Sequence, residues 1–258
     1  MPAHDDLALL IEAAQAAGEI ARRYFRQGPR IWDKPGAGPV TEADIAVNDM
    51  LAERLRGARP GYGWLSEETP DTPERLDAAR AFVIDPLDGT RAFIEGDHNW
   101  AHSLAVVDNG EAVAAVVYLP MADKLYAAAK GHGATLNGAR ITVATGDTLD
   151  GATVLVTRSN LEPWFWRGAE VPRVNRQFRS SLAYRMSLVA EGRFDAMLTL
   201  RPTWEWDVAA GALIVTEAGG RVTDRQGAQP RFNAPMPQVD GVIAAGPGLQ
   251  EEIASRLA

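Results

Sequence analysis

The chain has 258 residues, 46% hydrophobic and 23% charged, with 24 Gly, 16 Pro and no Cys. That length suits one large domain or two small ones with a sizeable core, and the missing Cys excludes a disulfide scaffold, a thiolate metal site and a cysteine nucleophile. With 26 Lys+Arg against 34 Asp+Glu, a net charge of -8, and no basic cluster, nucleic-acid polymers and anionic membranes are poor partners.

In chain order, the polar start Met1-Pro2-Ala3-His4-Asp5-Asp6 does not read as a signal peptide. No apolar run approaches the roughly 20 residues that cross a bilayer. A cytoplasmic, soluble protein is the expectation. Leu7, Leu10, Ile11, Ala14, Ala17, Ala21 and Tyr24 recur at helical steps and predict an amphipathic helix stopping near Gly28-Pro29. Trp32 to Pro39, rich in Gly and Pro, reads as a loop. A second helix starts at Thr41, where Thr41-Glu42-Ala43-Asp44 forms a capping box with Asp in place of Glu. Ser66-Glu67-Glu68 falls in the loop after it.

From Ala81 to Thr145 the pattern turns β-rich. Phe82-Val83-Ile84 is a strand ending at Asp85, and Asp108-Asn109-Gly110 joins Ser103–Val107 to Ala112–Tyr118 as a hairpin. Leu125–Ala128 follows, then a turn at Asn137-Gly138. Beyond residue 147 strands (153–157, 194–200, 242–245) alternate with helices (182–191, 208–218 and the C-terminus). The reading is two α/β halves, 1–147 and 148–258, sharing one core.

Most chemistry concentrates in Val83-Ile84-Asp85-Pro86-Leu87-Asp88-Gly89-Thr90. A buried strand delivers Asp85 at its end, Pro86 stops the ladder, and Gly89 permits a tight turn. If Thr90 opens a helix, its first N–H groups face the same point as both carboxylates, an arrangement suited to a divalent cation shared with a phosphate oxygen. The plainer alternative is a polar turn with Asp88 as a cap. Glu67-Glu68 reads alone as a solvated pair, and Asp207, before the small residues Val208-Ala209-Ala210-Gly211, as a helix cap held by close packing. His4, His98, His102 and His132 have no metal or triad spacing and read as surface or packing residues.

Taken together, Glu67-Glu68, Asp85-Pro86-Leu87-Asp88-Gly89-Thr90 and Trp206-Asp207-x-Ala209-Ala210-Gly211, with Glu217-Ala218-Gly219-Gly220 behind them, resemble the inositol monophosphatase superfamily of Mg²⁺-dependent, lithium-sensitive phosphomonoesterases. Lys130-Gly131-x-Gly133-Ala134 and Asn137-Gly138 extend the resemblance over nearly the whole chain. It implies a layered αβαβα sandwich of mixed α/β class, a small-molecule phosphate ester as substrate, and, since family members are often dimers, a homodimer.

By that resemblance Glu67, Asp85 and the Leu87 carbonyl bind one Mg²⁺. Asp85, Asp88 and Asp207 bind a second, and Glu67 helps hold a weaker third. Thr90 hydrogen-bonds the attacking water and Asp44 orients it or takes its proton, so the catalytic set is Asp44, Glu67 and Thr90. Asp88, Gly89, Thr90, Arg158, Ser181 and Asp207 contact substrate. Oxygen-only ligands favour Mg²⁺, Mn²⁺ or Ca²⁺ over Zn²⁺, and carboxylates this close are tolerable only with cations bound or pKa values raised. A covalent aspartyl-phosphate route, as in haloacid-dehalogenase-like phosphatases, fails because its aspartates stand two residues apart, whereas Asp85 and Asp88 stand three apart around Pro86.

Substrate choice rests on finer matches. The Glu that contacts inositol hydroxyls in the family, seven residues before the Trp-Asp aspartate, is Leu200 here. Pro202-Thr203-x-x-Trp206-Asp207, Gly38-Pro39-Val40-Thr41, Leu65-Ser66-Glu67-Glu68 and Arg158-Ser159 are instead similar to bacterial 3'(2'),5'-bisphosphate nucleotidases. Against that stand Ala183, where that subfamily's Lys is expected, and Asn160, where it has His. The favoured substrate is 3'-phosphoadenosine 5'-phosphate. The alternatives are another sugar or polyol phosphate such as inositol 1-phosphate, and, in a different class, a non-catalytic metal-binding regulator. Trp164, Trp166 and Trp204 stay unassigned among pocket, core and interface.

Overall fold

The computed structural model describes residues 2–34 and 38–258. The fold is built on two main sheets whose central strands are buried on both faces. A seven-stranded sheet runs β3 (Gly63–Ser66), β4 (Arg80–Asp88), β5 (Ala101–Asp108), β6 (Glu111–Leu119), β7 (Lys124–Ala129), β8 (Ala134–Leu136), β9 (Ala139–Arg140) in spatial order. Its β3–β4 pair is parallel and the rest antiparallel. A five-stranded sheet combines β10 (Thr153–Val156), β11 (Asn175–Gln177), β12 (Ala196–Trp204), β13 (Arg221–Thr223) and β14 (Gln238–Ala245) in the order β11-β10-β12-β14-β13.

Alternation along each strand assigns the layers. In β4, Phe82 and Ile84 pack with Leu10, Ala14 and Ala17 of α1 (Pro2–Tyr24) and Val47 and Leu51 of α2 (Glu42–Ala58), while Val83 faces the other way. That second face meets α4 (Leu182–Ala190) and α5 (Glu205–Glu217), which also contact Leu155, Met197, Val242 and Ala244 of the five-stranded sheet. The far face of that sheet, with Val154, Leu198 and Ile243, is covered by Leu249 and Ile253 of α6 (Pro247–Arg256). The order is therefore helices, sheet, helices, sheet, helix: the αβαβα sandwich expected from the sequence. Strands covered on both faces read as near-continuous apolar runs, and α5, enclosed between two sheets, is apolar nearly all round.

The two-residue turn Asn109-Gly110 closes the β5–β6 hairpin with both φ angles positive, 49° and 86°. The capping box at Thr41 forms as read, with the Ala43 N–H donating to Thr41 Oγ1 and the Thr41 N–H donating to Asp44 Oδ2.

Five readings need correction. The segment expected to be a loop from Trp32 to Pro39 contributes an antiparallel pair, β1 (Ile31–Lys34) with β2 (Gly38–Thr41); Pro35–Ala37 lie outside the described residues. Residues 31–33 of β1 are exposed, so no burial pattern marks it as a strand. Pro86 does not stop the ladder: β4 continues to Asp88 through a one-residue register shift between Asp85 and Asp88. A bulge tolerates a residue without an N–H. Ser66 ends a strand, with the Glu67 N–H donating to the Ile84 carbonyl. Finally, α5 begins at Glu205, so Asp207 sits in its first turn and not at its cap. The first helix also ends at Tyr24, ahead of Gly28-Pro29.

Close packing of α4 on α5 depends on Gly211, where an added Cβ would lie 2.7 Å from Met186 Cβ. Gly211→Val should therefore overpack this contact and lower unfolding free energy by about 1–3 kcal/mol, read by chemical denaturation.

Candidate metal and phosphate site

The bulge at the end of β4 determines where the acidic groups point. Asp85 is buried and its Oδ1 accepts a bond from the Leu87 N–H at 2.9 Å, closing the turn on itself. Beneath the turn, His102 on β5 is fully buried and its Nδ1 meets the Pro86 carbonyl. Burial holds that imidazole down at about 4, so the ring is neutral and Nδ1 is the donor to the carbonyl. Gly89 adopts φ 100°, and a Cβ there would come within 3.2 Å of the Asn99 carbonyl. Only glycine suits this handedness and approach.

Thr90 opens the short helix α3 (Thr90–Ile94), as read from the sequence. Its Oγ1 lies 3.0 Å from Asp44 Oδ1 and 3.2 Å from the Leu87 carbonyl. Asp44 is buried, and its other oxygen accepts from the Thr41 N–H at 2.8 Å and the Thr41 hydroxyl at 2.6 Å. Asp44 is thus a cap and a partner of Thr90 at once. Burial raises its pKa against the pull of the Thr41 and Thr90 bonds.

Asp88 is held from the C-terminal half. Its Oδ2 accepts the Ser181 hydroxyl at 2.6 Å and the Ala183 N–H at 2.7 Å, both at the start of α4. Asp207 arrives from the first turn of α5. That turn is tied to β5 by the Ser103 hydroxyl, which donates to the Trp206 carbonyl at 2.9 Å, and Ser103 pairs with Asp85 across the sheet. One carboxylate oxygen each of Asp85, Asp88 and Asp207 lies within 4.8 Å of the others.

These three groups repel one another. At an effective dielectric of about 20, two unit charges 4.8 Å apart cost roughly 3.5 kcal/mol. Burial, then the charges of Glu67, Asp88 and Asp207, push Asp85 well above the usual carboxylate range. Burial, then Asp88 and Glu67, do the same to Asp207, which accepts no hydrogen bond and makes no ion pair among the described residues. Asp88 is raised by burial against its bonds to Ser181 and the α4 backbone. An all-oxygen cluster short of hydrogen-bond donors fits hard divalent cations.

Glu67 stands outside this triplet. Burial pushes it up to about 7 while Lys34, with Nζ 3.8 Å from Glu67 Oε1, pulls it down. The same ammonium lies 2.6 Å from Glu68 Oε1, so Glu68 is ion-paired and not merely solvated. Ser181 is engaged with Asp88, which makes it a positioning group for that carboxylate. Arg158 lies exposed at the start of a 3-10 turn after β10 and bonds to none of the cluster. Leu200 packs in the core under α6. Asn160, also buried, accepts the Leu200 N–H and, through its carbonyl, the Trp166 indole N–H.

Trp166 is accordingly core, whereas Trp164 is 70% exposed. Trp204 stacks on Trp206 with ring centroids 4.8 Å apart and planes 9° apart, and remains 39% exposed. Sequence reasoning missed Lys34, Ser103 and the supporting role of His102. Only Ser103 left a trace, since antiparallel pairing of β4 with β5 puts some residue opposite Asp85.

Comparison with known proteins agrees with this geometry. The profile of the inositol monophosphatase family matches residues 4–258. The chain is 35% identical to an inositol-1-monophosphatase of Rhizobium meliloti over 86% of each chain. It is 33% identical to a histidinol-phosphatase of Mycobacterium tuberculosis over 98% of each. The crystal structure of the extragenic suppressor protein suhB from Bartonella henselae superposes with a TM-score of 0.83 at 28% identity, covering 97% of both. The chain belongs to the inositol monophosphatase family, whose members hydrolyse phosphoric monoesters and normally use Mg²⁺. Among the described residues no helix is long and apolar enough to cross a membrane.

The raised pKa values set the sign of a stability test. Groups whose folded pKa lies above the unfolded value favour folding at low pH and lose that contribution as pH rises through the folded pKa. In metal-free protein, Asp207→Asn should therefore raise the melting temperature near pH 8, by an amount that shrinks toward about pH 5. Added Mg²⁺ should stabilise the parent strongly and the variant weakly, both read by differential scanning fluorimetry.

Proposed function

We propose that the chain hydrolyses a small phosphate monoester through a metal-activated water and that its substrate is 3'-phosphoadenosine 5'-phosphate. The observation carrying the hydrolytic part is the Thr90–Asp44 hydrogen bond of 3.0 Å, beside the Asp85, Asp88 and Asp207 triplet. Holding a metal needs only the carboxylates; a hydroxyl backed by a buried carboxylate is what a water nucleophile needs. For this reason a purely regulatory, metal-binding role is disfavoured.

Glu67, Asp85 and the Leu87 carbonyl would hold one Mg²⁺, and Asp85, Asp88 and Asp207 another, with Glu67 helping to hold a weaker third. When bound, such ions supply Lewis-acid polarisation of water and phosphoryl oxygens and offset charge on the departing alkoxide. The chain's own residues do the rest. By donating its hydroxyl proton to Asp44 Oδ1, Thr90 leaves its lone pairs free to accept a bond from the attacking water. As the water loses a proton, Thr90 accepts it and passes its own to Asp44, whose burial-raised pKa suits it to receive one. Backbone N–H groups of Gly89 and Thr90, at the start of α3, would hold the phosphate in line. Arg158 would contact the rest of the substrate.

The nucleotide part is supported by Trp204. Stacked on Trp206 and open on its outer side, it offers a flat face three residues from Asp207, and base stacking on such a face is worth about 1–3 kcal/mol. Leu200, buried under α6, gives inositol hydroxyls no carboxylate.

Thr90→Ala should lower kcat by about a hundredfold or more while leaving Mg²⁺ binding by calorimetry within about a factor of two. In a substrate panel, kcat/KM should be highest for 3'-phosphoadenosine 5'-phosphate over inositol 1-phosphate and histidinol phosphate. Trp204→Ala should raise KM for the nucleotide about tenfold and not for inositol 1-phosphate. Equal kcat/KM across the panel would refute the nucleotide assignment.

A further inference from the structure

The two bulged residues of β4 stand opposite a single residue of β5. Asp85 pairs with Ser103 and Asp88 with Ala101, which leaves Pro86 and Leu87 facing His102. Pro86 has no N–H, so the backbone polar groups of the bulge are two carbonyls and the Leu87 N–H. The Leu87 N–H donates to Asp85 Oδ1 at 2.9 Å, and the Leu87 carbonyl lies 3.2 Å from Thr90 Oγ1. The Pro86 carbonyl turns away from the acidic cluster and accepts from His102 Nδ1. That carbonyl and the Leu87 N–H belong to one trans peptide group and point in opposite directions. An imidazole below the turn and a carboxylate within it therefore grip the same peptide plane from its two ends.

Packing alone does not account for a histidine at this position. The ring is fully buried beside Trp100 and Tyr118, with centroids 5.7 and 6.4 Å away. A carbonyl only accepts, so Nδ1 carries the proton, and in the neutral ring Nε2 presents a lone pair. Nε2 has no hydrogen-bond partner among the described residues. Burying an unmatched polar atom costs free energy that a leucine of similar size would not incur. The bond to Pro86 is what the imidazole supplies and an apolar side chain cannot. Ser103, the next residue, faces the other side of the sheet and donates to the Trp206 carbonyl at 2.9 Å. Neighbouring residues of β5 thus secure the turn that bears Asp85 and the helix that bears Asp207.

We propose that His102 is a positioning residue for the metal site. Its Nδ1–H fixes the 86–87 peptide and, through the Leu87 N–H, the direction of the Asp85 carboxylate. This role presupposes the Mg²⁺ site of the proposed function and adds a residue on which its affinity depends. Hydrogen-bonding groups behind metal ligands orient those ligands and set how tightly the ion is held.

Three substitutions separate the hydrogen bond from the packing. His102→Asn keeps a donor as many bonds from Cα as Nδ1 and leaves part of the ring volume unfilled. His102→Leu fills the volume and donates nothing, and His102→Gln carries its donor one bond too far. With Mg²⁺ titrated calorimetrically into the metal-free full chain, His102→Leu and His102→Gln should bind about tenfold or more weakly than the parent, and His102→Asn within about threefold. Chemical denaturation of the metal-free proteins should give the opposite order, with His102→Asn less stable than His102→Leu. A merely structural role would move both readouts together. NMR of the ring nitrogens at neutral pH should place the parent's proton on Nδ1, a readout that needs no variant to fold. Equal Mg²⁺ affinity in His102→Asn and His102→Leu, or a proton on Nε2 alone in the parent, overturns the proposal. A parent without Mg²⁺ affinity overturns the metal site and this role with it. Substrate enters none of these measurements, so a wrong substrate assignment leaves them intact.

Discussion

Three carboxylates forced to within 4.8 Å of each other are the constraint around which this protein is built. Nothing about their mutual repulsion favours folding, so each is held by structure that is stable for other reasons. Asp85 is fixed by its own turn through the Leu87 N–H, and Asp88 by the start of α4. Asp207 is carried by α5, whose entry is tied to Ser103 on the strand opposite Asp85. Local conflict at a functional site, maintained by surrounding consistency, is what a minimally frustrated fold permits. Burial first, and the neighbouring carboxylates after it, hold Asp85 and Asp207 well above the usual carboxylate range.

The sandwich architecture explains why the conflict is sustainable. α4 and α5 lie between two sheets, so both helices that carry the C-terminal contribution are immobilised on two sides. Gly211, meeting Met186, allows the close approach between them. On the other side of the seven-stranded sheet, α1 and α2 seat Asp44 at the first turn of a helix that is itself packed on Phe82 and Ile84. Asp44 on α2 and Asp207 on α5 thus reach the site from the helix layers on opposite faces of the seven-stranded sheet, and Asp85, Asp88 and Thr90 reach it from the end of β4 and the start of α3.

Legibility in the sequence followed locality. Asp85, Asp88, Gly89 and Thr90 occupy six consecutive positions, and a strand, a turn and a helix start are readable over that span. The capping box at Thr41 was readable for the same reason, although its link to Thr90, 46 residues away, came only from resemblance. Asp207 had no local mark beyond the small residues after it. The bulge in β4 was misread because Pro usually ends a ladder, and propensity does not say that the partner strand accommodates an extra residue. β1 was missed because its first three residues are exposed and Ile31 and Trp32 face solvent. Lys34 could not be found at all: its pairing with Glu68 joins residues whose relation exists only after folding.

On the proposed function, hydrolysis and selectivity fall to different parts of the molecule. The Thr90–Asp44 pair, Asp85 and Asp88 belong to elements before residue 95, whereas Asp207 and the Trp204–Trp206 stack come from β12 and α5. Asp88 and Asp207 are where the two sets meet, since α4 grips the first and α5 carries the second. On the proposed reading, a change at Trp204 would alter which ester is accepted without moving Thr90 or Asp44. A change at Ser181, by contrast, touches both, because its hydroxyl donates to Asp88 and caps the start of α4 by accepting from the Tyr184 N–H. The contact of α4 with Asp88, through the Ser181 hydroxyl and the Ala183 N–H, is thus where the two sets constrain each other most directly.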